Sequence, residues 1–271
     1  MQWPAVAVIR MSDVAGQRFQ SRHVLGMRVD CIEASPAVSL VVSWCQAKRG
    51  RTICAANVHM VIEAWDDAAF QGLVNSSDLV LPDGQPLVWA LRLLGLRQRR
   101  RVRMAPDFVD KLMAAAADAG VVVGLYGGTD EALDTIGSNL TARTPALKIG
   151  FAYAPPFRPL TKDEDHRVVA DIRSAGVKLL LLGIGCPKQE RWMAEHADDL
   201  DCVMIGVGAA FDLFAGRTRE APAWTRDIGL EWVYRLSLEP RRLWRRYANA
   251  NPRFVALLGL QLLRERRAGR S

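Results

Sequence analysis

The chain is poor in the residues that build disulfide and metal frameworks. Its 271 residues include five cysteines and four histidines. Cys31, Cys45, Cys54, Cys186 and Cys202 are odd in number and form no CxxC pair. That argues against a disulfide scaffold and for a reducing compartment. His23, His59, His166 and His196 are scattered, so no zinc site is readable. Long apolar runs are also missing. The longest apolar-rich stretch, residues 254–263, is about half of what a bilayer crossing requires. The opening MQWPAVAVIR is too short an apolar stretch for a signal peptide and is broken by Arg10. A cytoplasmic location is therefore expected. No repeat at a solenoid period is present.

What is there is ordinary globular material, with 50% apolar and 24% charged residues. The length suits one α/β domain with an appendage, or two small domains, and allows a sizeable core. The net charge of +7 is unevenly placed. Residues 235–271 hold ten Arg and two Glu, a balance of +8, whereas the preceding 234 residues hold 26 basic and 27 acidic side chains, a balance of −1. A neutral body carries a cationic tail.

Along the chain, residues 1–23 read as a polar, irregular and mobile extension. From Val24 a rhythm of short aliphatic run, turn and helix sets in. Strands are predicted over 51–56, 78–81, 121–126, 147–152, 177–182 and 202–207. Asn57 is a good N-cap for a helix through Trp65. Pro86 suits the first turn of another. Gly120 and Gly176 are placed to end two more. Continuously apolar strands indicate burial on both faces. The predicted fold is α/β, a Rossmann-like, mostly parallel sheet flanked by helices, with an Arg-rich helical appendage. The body is placed at 24–228 and the cationic amphipathic appendage at 229–271.

Open parallel sheets bind ligands beyond the carboxyl ends of their strands. The residues there are Asn57, Asp83-Gly84, Gly127-Gly128-Thr129, the 183–190 segment and Gly206-Val207-Gly208. The 183–190 segment is the sharpest. Gly183 and Gly185 let a ligand approach the backbone closely. Pro187 can open a helix whose N-terminus attracts an anion. Lys188 adds a point charge, and Gln189 can hydrogen-bond on two sides. A plain β-to-α turn with a solvated lysine explains the spacing equally well. It is not a Walker A loop, which ends GK[ST], nor a GxGxxG fingerprint, whose third Gly is Lys188 here. Asp83 on its Pro-Asp-Gly turn either closes the turn or serves as a general base. The run Arg97, Arg99, Arg100, Arg101 and Arg103 is either solvated or lends one Arg to a phosphate. No DxD element supports a metal-chelating nucleotide-sugar site, so no cofactor is expected.

In the tail, Arg, Trp and Tyr interleave from Glu231 to Tyr247. The apolar 254–263 stretch then precedes Arg264, Arg266 and Arg267. That composition suits an interfacial helix pair on anionic lipid. A nucleic-acid surface and a docked helix with solvated Arg are the other readings. The apolar density favours lipid or protein over RNA, so no nucleic-acid partner is expected. A homo-oligomer stays open.

Taken together, Pro82-Asp83-Gly84, the Gly183-x-Gly-x-Pro-Lys-Gln-Glu190 element, Gly206-Val-Gly-Ala-Ala-Phe-Asp212, Ala221-Pro-x-Trp224 and Gly229-Leu-Glu-Trp-x-Tyr-Arg-Leu236 with Glu239-Pro-Arg-Arg242 resemble the WecG/TagA/CpsF family of bacterial glycosyltransferases. The resemblance implies inverting transfer of an N-acetylmannosamine-type or glucose-type sugar from a UDP-sugar to a polyprenyl-diphosphate-linked sugar. The setting would be the inner face of the plasma membrane, in cell-surface or exopolysaccharide synthesis. It implies Asp83 as general base and Gln189 in the active site. Asn57, Gly84, Gly127, Gly128, Gly183, Gly185, Pro187, Lys188 and Glu190 would line the substrate. Arg235, Arg241 and Arg242 of the appendage would close over the site, bind diphosphate and touch the bilayer. The alternative is a non-catalytic nucleotide-binding regulator or scaffold of the same fold. Two departures stand out. Ala55 occupies a place where the family often has Thr. The family's Arg-Val-x-Gly-x-Asp pattern appears as Arg101-Val-Arg-Met-Ala-Pro-Asp107, one residue longer, so Arg101 and Arg103 both compete for the Arg role.

Overall fold

A computed structural model describes residues 10–14, 17–47, 49–222, 225 and 231–268. Six strands form an all-parallel sheet in the order β5-β4-β9-β8-β6-β7. These are β4 (Arg51–Ala56), β5 (Leu79–Pro82), β6 (Val122–Gly127), β7 (Lys148–Tyr153), β8 (Leu179–Gly183) and β9 (Val203–Gly206). All four residues of β5 and of β9 are buried, as expected of strands covered on both faces. β7 lies at the sheet's edge and is the exception, with buried positions replaced by alternating half-exposed and exposed ones.

Two apolar layers sandwich the sheet. On one face lie α1 (Ala34–Cys45), α5 (Val109–Asp118), α6 (Asp130–Arg143) and α9 (Ala210–Phe214). On the other lie α2 (Val58–Asp66), α3 (Ala68–Ser76), α4 (Gln85–Leu93), α7 (Lys162–Ser174) and α8 (Lys188–Glu195). The expected punctuation is observed. Asn57 caps α2, accepting from the Met60 amide at 3.2 Å. Pro86 stands in the first turn of α4. Gly120 and Gly176 follow α5 and α7 with positive φ.

The expected irregular extension differs from what is seen. Within it, β1 (Arg10–Val14) and β2 (Gln17–Val24) pair antiparallel, and β2 pairs with β3 (Met27–Cys31). The two-residue turn between β2 and β3 is Leu25-Gly26, with φ of +51° and +86°. Hairpin turns of this kind usually advertise themselves as Asn-Gly or Asp-Gly. Here a leucine takes the left-handed position, and its side chain is buried. β3 is tied to the main sheet by Asp30, whose Oδ2 accepts from the Val80 amide at 2.7 Å.

The chain closes with α10 (Glu231–Leu238) and α11 (Pro240–Ala268). One face of α11 docks on the body. Ala250, Phe254 and Leu258 enter the core layer that contains α2. Arg253 pairs with Asp66 of α2 through two contacts of 2.8 and 2.5 Å. Gln261 accepts from the Leu25 amide at 2.9 Å and donates to the His23 carbonyl at 2.8 Å. The apolar 254–263 stretch is therefore split. Phe254 and Leu258 face inward, while Val255, Leu260 and Leu263 face outward together with Trp244. Among the described residues, no helix is long and apolar enough to cross a membrane.

Candidate active site

The carboxyl ends of the strands form one edge. Connections leave β6 and β8 toward opposite faces, through α6 and α8 respectively. Since these strands are neighbours, their carboxyl ends mark the topological switch point where such sheets open a crevice. Gly127 and Gly183 are register partners there. A Cβ on Gly127 would lie 2.6 Å from the Gly183 carbonyl carbon, and one on Gly183 would lie 2.3 Å from the Phe211 ring. Both glycines thus serve close packing at the crevice floor. Gly185 is different. Its φ is +87° and no atom lies near its hypothetical Cβ, so the backbone there is open to a ligand. Gly128 has φ +77° and ordinary space.

At the other end of the edge, the amides of Asp83 and Gly84 both donate to the Ala56 carbonyl, at 2.9 and 3.3 Å. These backbone bonds fold the turn onto the end of β4 and set Gly84 against Asn57. The Asp83 side chain is thereby released from turn closure. Its Oδ1 accepts from the Met104 amide at 3.0 Å. Burial pushes the Asp83 carboxyl up, while the Met104 amide and the Arg101 and Arg235 charges pull it down. The upward push wins. A carboxylate with raised proton affinity, anchored by one oxygen, suits a general base.

Arg101 and Arg103 take different partners. The segment contains a wide turn, in which the Phe108 amide donates to the Arg103 carbonyl five residues back. Arg103 then reaches Asp107 and Glu220, at 3.3 and 2.8 Å. Arg101 instead pairs with Glu231 of α10, and Arg235 pairs with the same carboxylate at 3.0 Å. Arg101, Arg235 and Glu231 all act electrostatically on Asp83. The appendage thus meets the body at the Asp83 turn.

In the 183–190 segment, Pro187 precedes α8 and Lys188 is exposed in its first turn. Gln189 is buried: its Oε1 accepts from the Gly185 amide at 3.2 Å, and its Nε2 donates to Glu190 Oε1 at 2.8 Å. Gly206 leaves room for this amide, since a Cβ there would lie 2.5 Å from Gln189 Nε2. Gln189 therefore shapes the Gly185 loop from beneath. Glu190 is fully buried, and burial pushes its carboxyl up.

Arg241 is exposed at the start of α11. The side chain of Arg242, along with Trp224 and residues 229–230 of the sequence motifs, lies outside the described residues. Ala55 is buried in the core layer that contains α1.

Several groups at this edge escaped sequence reasoning. Glu231 stands at the head of a basic stretch, and its i,i+4 spacing to Arg235 is the sequence signal for their pairing. Arg217 donates to Thr129 Oγ1 at 2.9 Å, beside the Gly127-Gly128 turn. The charge of Arg246 in α11 acts on both His59 and Cys186. Burial, with the Arg246 charge second, pushes His59 down to about 4. Burial, with the Glu190 charge second, pushes the Cys186 thiol up. No sequence spacing links Arg246 to these two residues. Among the described residues, no cluster of three or more potential metal ligands occurs. The positive charge they place beside Asp83 is arginine.

Comparison with known proteins gives the family. Residues 22–268 match the glycosyl transferase WecG/TagA/CpsF family. Over 201 residues the chain is 29% identical to the N-acetylglucosaminyldiphosphoundecaprenol N-acetyl-beta-D-mannosaminyltransferase of Bacillus subtilis (strain 168). The match covers 73% of this chain and 75% of that relative.

Proposed function

The chain belongs to the WecG/TagA/CpsF family and is a glycosyltransferase, and from that premise we propose that it moves a sugar from a UDP-sugar to a lipid-diphosphate-linked sugar acceptor. The observation that carries this reading is the Asp83 carboxylate, held by the Met104 amide and within electrostatic reach of Arg101 and Arg235, which share the Glu231 carboxylate. The similar mannosaminyltransferase supports an N-acetylmannosamine-type donor and a polyprenyl-diphosphate acceptor.

The proposed step is a single displacement. The acceptor hydroxyl oxygen attacks the anomeric carbon and gives its proton to Asp83. The bond from that carbon to the diphosphate oxygen breaks, and UDP departs with the electron pair. Inversion follows from attack opposite the leaving group. Arg101 and Arg235 offset the charge that grows on the departing diphosphate. The open Gly185 backbone and the crevice between β6 and β8 receive the nucleotide. Asn57, with Gly84 against it, borders the acceptor side. Gln189 holds the Gly185 loop of this crevice.

The outward residues Trp244, Val255, Leu260 and Leu263, set among exposed Arg241, Arg245, Arg264 and Arg266, suit the surface of an anionic membrane. The enzyme would then work as a peripheral protein on the cytoplasmic face, in cell-surface polysaccharide synthesis.

The test is incubation with a panel of UDP-sugars and a lipid-diphosphate sugar acceptor. Transfer from at least one donor is expected. Asp83→Asn should lower kcat by roughly 10²–10⁴-fold while UDP still binds. Full activity in that variant, or no transfer from any donor by the wild type, overturns the reading.

A further inference from the structure

We propose that Glu231 is a positioning residue that holds the Arg101 and Arg235 guanidinia side by side next to Asp83 and yields them to the substrate's diphosphate. The inference rests on the transferase reading above and adds how its arginine pair is assembled.

Glu231 is buried, with 7% of its surface exposed. Each of its two oxygens takes a different guanidinium. Oε2 accepts from Arg101 Nη2, and Oε1 lies 3.0 Å from Arg235 Nη2. Arg101 belongs to the body, in the segment that follows α4, and Arg235 belongs to α10. One carboxylate therefore joins the appendage to the body at the point where chemistry is placed. Two guanidinia brought this close without an anion between them would repel. Their planar forks bind carboxylate and phosphate oxygens in the same manner. Glu231 thus fills, with one negative charge, a position suited to a group carrying more charge and more acceptor oxygens.

The other arginine of the segment makes a useful contrast. Arg103 is held by Asp107 and Glu220, both substantially exposed, and acts on Glu231 only as a weaker charge behind Arg101 and Arg235. Burial of Glu231 raises its proton affinity, but Arg101 and Arg235 outweigh that and keep it below the ordinary carboxylate range. It stays ionised and paired. Arg101 and Arg235 are also the two cations that stabilise ionised Asp83. When the diphosphate takes them, their hold on Asp83 weakens and Asp83 becomes a stronger base. Donor binding and base strength are coupled through this one carboxylate.

The test compares wild type with Glu231→Gln, Glu231→Asp and the control Asp110→Asn, which breaks an exposed pair with Arg143. Turnover is measured with the UDP-sugar and lipid-linked acceptor. Calorimetry measures binding of UDP and of inorganic diphosphate without turnover. In Glu231→Gln, kcat should fall roughly 10–100-fold, as expected for mispositioned groups. The Kd for UDP and inorganic diphosphate should stay the same or tighten, because a competing anion has gone. Glu231→Asp should recover part of kcat, and Asp110→Asn should match wild type. Unchanged kcat in Glu231→Gln overturns the proposal. So does parallel loss of kcat and of diphosphate affinity, which marks a carboxylate that only supports the fold. If wild type transfers no sugar, the transferase reading fails separately. The proposal then stands or falls on inorganic diphosphate alone: retained or tightened affinity in Glu231→Gln supports it, and absent binding in both proteins overturns it.

Discussion

Asp83 balances burial against two nearby cations, and that balance is measurable. A general base must be ionised to work, so the rate should rise with pH through its titration. Because burial prevails, the acid limb of kcat/KM should lie above the usual carboxylate range. Arg101 lowers the Asp83 proton affinity, so Arg101→Gln should move that limb to still higher pH. A limb that stays in place separates Arg101 from the base. Asp30 offers a second titration, in stability rather than rate. Burial raises it to about 6 from 3.8, against the pull of Arg28 and the Val80 amide. The folded state then holds this proton more tightly than the unfolded chain. Its stabilising contribution is complete below pH 4 and is lost as pH rises through about 6. Linkage sets the loss at about 3 kcal/mol. Asp30→Asn should flatten this part of the stability curve, as read by denaturant unfolding between pH 4 and pH 7.

At the scale of elements, the parallel sheet was legible because its signals are local. Aliphatic runs, Asn57 before α2, Pro86 inside α4 and Gly120 after α5 each act over a few residues. The N-terminal hairpin was not legible. Its turn is Leu25-Gly26, and the left-handed leucine is held by its own burial and by Gln261, 236 residues away. The division of the tail was hidden for a related reason. Helical spacing shows that residues 254–263 are apolar, but which side docks depends on α2. In the site, Asp83 and the glycines were visible as loop residues at strand ends. Their separate jobs were not, because Gly183 and Gly185 look alike until Phe211 is placed. Gly183→Ala should force its Cβ into the Phe211 ring and cost about 1–3 kcal/mol. Gly185→Ala should meet no such neighbour, although its positive φ is strained. Thermal melts of the two variants, with UDP titrations, will show whether packing loss and ligand loss separate as described.

For the whole molecule, the appendage is as much a part of the core as of the site. Leu243, Ala250, Phe254 and Leu258 are buried on one side of α11. Removing residues 240–271 should expose their neighbours and destabilise the body by several kcal/mol, given about 1.5–3 kcal/mol for each large apolar side chain. Calorimetric melting of the truncated chain against the full chain measures this. An unchanged Tm would mean that α11 adds no stability. A milder variant, Phe254→Ala, should lower Tm without removing any arginine. It therefore separates loss of docking from loss of charge.

The bond between Gln261 and Leu25 also has a meaning in time. The ribosome makes the hairpin early and the residue that secures it late. At cellular synthesis rates the 235 intervening residues take roughly 10–50 s. For most of that interval neither Glu231 nor Arg235 nor the docking face of α11 exists, and the sheet itself waits for its central strand β9. The nascent protein holds its base without its arginine pair complete. Competence for transfer therefore arrives last, at the same stage as the helix that seals the β2–β3 hairpin.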